Sequence, residues 1–118
     1  MAKYAQFLDF DELFPGLMEE DEFDRLVPSA EAYVDRITHN RAQIAAGYKA
    51  ERVRQAVCAA VREMAAQNAT RSAGGARLQS VSNDGYTEVY GQGAVTEHDE
   101  IRRVIRQWLS GTGLVSAL

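Results

Sequence analysis

Val53, Val57, Val61 and Met64 recur at three- and four-residue spacing, which places them on one face of an α-helix. Ala56, Ala60 and Ala65 widen that face, and residues 56–61 are apolar at every position. A helix that is apolar all round is enclosed by neighbours, and side chains this small let those neighbours come close. The pattern predicts a central helix over about 50–70, at the heart of a small, mostly α bundle. Upstream, Phe7, Phe10 and Phe14 fit a short helix, with Asp9 as its cap and Pro15 and Gly16 as its stop. Phe23, Leu26, Val27, Ala30, Val34 and Ile37 form a second stripe whose helical phase continues across Pro28. Proline inside a helix removes a backbone bond and costs about 3 kcal/mol or more. The stripe is therefore either one helix kinked at Pro28 or a closely abutted pair with Pro28 in the first turn of the second. Residues 38–48 read as a connection, with Asn40 stopping one helix and Gly47 preceding the next.

The pattern changes after the central helix, which is expected to fray beyond Ala69 into a Gly74, Gly75 break. Val81, Tyr86, Thr87, Val89 and Tyr90 favour strand, and Asn83, Asp84 and Gly85 signal a hairpin turn. A β-hairpin over about 78–90 is the result. An isolated hairpin is marginal in water, so it needs a neighbour. Tyr86, Glu88 and Tyr90 share one strand face and suit a partly wet contact. Residues 91–93 follow as a loop, and Thr96 caps a last helix with Glu97, Asp99 and Glu100 in its first turn. Ile101, Val104, Ile105, Trp108 and Leu109 form its apolar stripe, Asp99 supports Arg102 and Arg103 on the exposed face, and Gly111 ends it. The uncharged tail, residues 112–118, carries Leu114, Val115 and Leu118 and stays loose unless something receives it.

The whole, 1–118, reads as a single domain of ordinary composition, 46% apolar and 25% charged. It contains no apolar run of about 18 residues, so no membrane span is expected. The first residues turn acidic after Lys3 alone, unlike a signal peptide. Charge is divided unevenly. Residues 1–24 carry eight acids against Lys3, a net of −7, while residues 25–118 carry nine acids against twelve bases, a net of +3. Glu19, Glu20, Asp21 and Glu22 stand where the dipole of the second helix favours negative charge. They are also a candidate acidic docking face. The acidic balance argues against sequence-specific DNA binding.

Little chemistry is expected. Gly91 and Gly93 form a lone G-x-G, which without a third glycine is a weak phosphate signal. His98, Asp99 and Glu100 are consecutive, and consecutive helical residues point about 100° apart, so they do not converge on a metal. The single cysteine, Cys58, excludes an internal disulfide and reads as a small buried hydrophobe. No nucleophile has a base in a recognisable motif. No catalytic, cofactor or metal residue is assigned, and the protein is not expected to be an enzyme.

The order of segments does carry a resemblance. Residues 22–41, with Phe23, Leu26, Ala30, Asp35, Thr38 and Arg41, precede a VCAAV core, an S-V-S…Y segment and a closing Thr112, Gly113 and Leu114. Over nearly the whole chain this resembles the head–tail connector, or head-completion adaptor, family of long-tailed phages and prophages. The resemblance implies a structural virion protein that assembles in the host cytoplasm. It implies a ring, usually of twelve copies, beneath the portal protein, with a docking surface for the tail or a stopper protein. DNA would pass through the channel without specific binding, since basic contacts are what hold phosphates. Unlike faces of neighbouring copies meet head-to-tail in such rings, and the apolar tail is assigned to the portal. A small acidic interaction or regulatory module, antitoxin-like or anti-repressor, is the alternative that the acidic N-terminus supports.

Overall fold

The computed structural model describes residues 2–73 and 87–115. Four α-helices follow in order: α1 (Phe7–Leu13), α2 (Glu20–Ile37), α3 (Tyr48–Ala73) and α4 (Thr87–Trp108), with a 3-10 turn (Arg41–Ile44) between α2 and α3. No strand occurs among the described residues. The central position of α3 is as its apolar run requires: it packs against α1, α2 and α4. Every residue from 56 to 61 is buried, none more than 4% exposed.

Local chemistry sets the ends of α1 and α2. Asp9 does not cap α1 from outside. It sits in the first turn and accepts the backbone N–H of Gln6, the residue before the helix, at 2.8 Å. Phe7, Phe10 and Phe14 do lie at helical spacing. Phe7 and Phe10 meet Phe23 of α2 at centroid distances of 5.9 and 5.5 Å. Gly16 has φ +69° and donates its N–H to Asp11, which turns the chain into α2. α2 runs through Pro28 as one helix. The lost backbone bond is outweighed because Phe23 and Val27 before the proline, and Ala30 and Val34 after it, all bury in one core. Two left-handed residues, His39 and Asn40, then stop α2. His and Asn are among the few non-glycine residues that adopt this conformation readily.

The largest correction concerns the hairpin. Its turn, and its residues 78–86, lie outside the described residues. Thr87, Glu88, Val89 and Tyr90 belong to α4, as do Gly91 and Gly93, and Thr96 is inside the helix rather than its cap. β-branched and aromatic residues favour strand mainly by packing on a pleated neighbour. Lengthening an existing helix needs no new nucleus and gains one bond per residue. That gain outweighs a cost of about 1 kcal/mol for each interior glycine. α3 likewise continues to Ala73, past the expected fraying point.

The described part of the tail, residues 112–115, is a second correction. Leu114 is 7% exposed and belongs to the chain's own core, with Val115 packed at its edge. The Thr112 hydroxyl donates to the Leu109 carbonyl at 2.6 Å and accepts the Leu114 N–H at 3.1 Å. Gly111 and Gly113, both at positive φ, fold the chain back after α4.

Candidate functional site

The bundle has two distinguishable ends. At the first, the Arg62 guanidinium lies 4.9 Å from the Phe14 ring, so the second half of α3 meets the turn that leads into α2. Glu19, Glu20, Asp21 and Asp24 are exposed here and Glu22 is half-buried. None of the five has an ion-pair partner among the described residues. Leu17 stands beside them, 51% exposed.

At the second end, two arginines tie three chain segments together. Arg41 donates to the Thr38 carbonyl at 3.0 Å and to the Gly113 carbonyl at 3.4 Å. Arg52 donates to the carbonyls of Trp108 at 2.8 Å and Ser110 at 3.1 Å. Thr38 is fully buried; its hydroxyl donates to the Val34 carbonyl and accepts the Ala42 N–H. A cation at a helix C-terminus satisfies carbonyls and complements the dipole. Both arginines contact carbonyls, and neither has a carboxylate partner among the described residues. Ile44, 81% exposed, and Tyr48, 63% exposed, project from the same end. The uneven charge of the sequence thus becomes an acidic end and a cationic end, each with exposed apolar side chains.

The other candidate residues are dispersed. Glu88 and Tyr90 lie in α4, Tyr86 and Leu118 fall outside the described residues, and Leu114 and Val115 face inward. The expected shared face of Tyr86, Glu88 and Tyr90 was a strand face, and residues 88 and 90 are helical. His98, Asp99 and Glu100 do diverge: His98 Nδ1 shares a hydrogen bond with the Tyr33 hydroxyl, Asp99 pairs with Arg102 and Glu100 with Arg103. Among the described residues no cluster of His, Cys, Asp or Glu is arranged to hold a metal, and no helix is long and apolar enough to cross a membrane.

Sequence reasoning missed one polar cluster. Glu31 is buried, and its Oε2 accepts the backbone N–H groups of Lys3 at 2.6 Å and Tyr4 at 2.8 Å. One turn on, Asp35 accepts the Lys3 ammonium at 2.7 Å and the Tyr4 hydroxyl. The signal available was two carboxylates at i and i+4 on α2, but nothing local names their partners 27 to 32 residues away. Burial pushes the Asp35 carboxyl up. Hydrogen bonds from Lys3 and Tyr4, with the charge of Lys3, outweigh it and hold Asp35 below the usual carboxylate range. The sign follows: this contribution to stability is present above the ordinary carboxylate pKa and is lost as pH falls through the depressed one. A carboxyl-detected NMR titration should find Asp35 ionising below the ordinary aspartate value. A normal Asp35 midpoint would contradict the clamp.

Cys58 is buried in α3, and burial pushes its thiol up to about 12. The thiolate is the reactive form. The folded protein should therefore resist a thiol-specific disulfide reagent at pH 8 and react fully in urea. Prompt labelling of the native state would show that α3 is not enclosed.

No family model, curated protein or solved structure matches this chain.

Proposed function

We propose that this chain is a head–tail connector of a long-tailed phage or prophage. In this reading it forms a ring on the portal, extends the DNA channel and offers the tail or a stopper protein a docking surface. The observation that carries the reading is a joint between distant motif residues. Thr38 and Arg41, from the segment that resembles connectors, are bonded to each other, and Arg41 reaches Gly113, 72 positions away in the closing Thr112, Gly113 and Leu114. Three of the residues that carry the resemblance thus meet in one joint. The opposed acidic and cationic ends support contacts between unlike surfaces, which close a ring when the rotation permits. Exposed Leu17, Ile44 and Tyr48 supply apolar anchors for such contacts. The carboxylates of residues 19–22, without ion-pair partners among the described residues, are suited to a channel wall that repels phosphate.

The test is sedimentation and light scattering of the purified chain, alone and mixed with the assembled portal protein of the phage or prophage that encodes it. The expected result is a complex with one connector copy per portal subunit, weakened when Glu19, Glu20 and Asp21 are all changed to Lys. A chain that stays monomeric and leaves portal unbound at every concentration overturns the reading. Recovery of a toxin or a repressor as its stable partner would establish the regulatory alternative instead.

A further inference from the structure

Residues 2–5 run along α2 before α1 begins, and the way they are held is unusual for a segment in contact with a core. Among the described residues, their backbone makes no backbone hydrogen bond to α2 or α3. Their polar attachment to the bundle consists of the two carboxylates on one turn of α2. Glu31 takes the N–H groups of Lys3 and Tyr4, and Asp35 takes the Lys3 ammonium and the Tyr4 hydroxyl. The apolar anchor is Ala5, 1% exposed, with Ala2 and the Tyr4 ring half-buried against the core. From Gln6 onward the chain is secured differently, by the first turn of α1 and by Phe10, which is fully buried.

We propose that residues 2–5 form a strap, latched by Glu31 and Asp35, that opens as a unit while the helical bundle stays folded. Local opening of this kind belongs to segments with few buried apolar contacts. Opening breaks no helix ladder bond, because the backbone of residues 2–5 makes none, and it uncovers the Ala5 methyl with the inner faces of Ala2 and Tyr4. Ala2 and Gln6 also form one wall of a cleft of about 460 Å³, whose other wall is Glu20, Asp24, Val27 and Pro28 of α2. An open strap withdraws Ala2 from that wall and leaves Glu31 and Asp35 facing solvent. The charged and titratable groups at the latch are Lys3 and Tyr4 on the strap and Glu31 and Asp35 on α2, so closure depends on Lys3 and Tyr4 reaching those two carboxylates. The inference does not depend on what the protein docks against.

Two of the latch donors are amides, which makes the state of the strap directly measurable. Hydrogen exchange by NMR on the intact protein at neutral pH compares Lys3 and Tyr4 with Val57 and Val61 in α3, each corrected for its intrinsic rate. The strap amides should be less protected than the α3 amides by on the order of a hundredfold or more, with little dependence on dilute urea. Tyr4→Phe removes one charge-assisted hydrogen bond and should speed strap exchange about tenfold or more. Lys3→Ala should speed it severalfold, as for a half-exposed ion pair. Both substitutions lie on the strap, so the bundle is not at risk, and Val57 and Val61 should be unchanged. Equal protection of strap and α3 amides, or variant effects that appear equally in α3, would overturn the proposal, since the strap would then open only with the whole fold.

Discussion

Phe23→Ala should destabilise the protein by about 3–5 kcal/mol, the usual cost of emptying a phenylalanine site in a core. Phe23 is fully buried, lies edge-on to Phe7 and is tilted against Phe10. It is the residue through which α2 holds α1. Alanine would lose the transfer energy of the ring and the aromatic contacts, and would leave a cavity that α1, a helix of 7 residues, is too short to fill by shifting as a unit. Domains of this size have about 5–15 kcal/mol in total, so the loss takes a third or more of it. A urea titration should show a lower midpoint with an unchanged slope. A loss below about 1 kcal/mol would mean that the three rings do not form one enclosed cluster.

Ala60→Leu is the opposite intervention. Ala60 is fully buried in α3, between Ala59 and Val61, which are themselves buried. Interaxial distance depends on the side chains at the contact, and in α3 these are small. A leucine there forces the neighbouring helices apart or drives side chains off their rotamers, at about 1–3 kcal/mol. Leucine is nearly as good a helix former as alanine, so the loss is one of packing. The control is Ala66→Leu, on an exposed position of the same helix, which should change stability by no more than about 0.5 kcal/mol. If the two variants melt together, α3 is not the tightly enclosed element that the structure describes.

Some of this was legible in advance and some was not. The run around Cys58 and the phase of Phe23, Val27, Ala30 and Val34 gave α3 and α2 directly, because helix burial leaves a period that neighbouring residues display together. The same phase continued across Pro28 but left a kinked helix and an abutted pair both open, and the structure has one helix there. Residues 87–90 were misread because β-branched and aromatic side chains describe a preference that only a strand partner can realise. The tail was misread for a related reason. Leu114 looks spare in a list of uncharged residues, and it is buried because Gly111, Thr112 and Gly113 turn it back onto the core.

The polar attachments are the clearest case. The sequence alone established which faces are apolar, that the chain forms helices, and that acids lead while arginines follow. Those properties are written in the spacing and order of neighbouring residues. Only the tertiary structure decided that Arg52 would close the end of α4, that Arg41 would reach Gly113, and that Glu31 would bury itself against the amides of Lys3 and Tyr4. A buried carboxylate or an orphan carbonyl must find a partner once water is removed. Which partner it finds is set by which segments the packed helices bring within about 3 Å, and no local pattern records that.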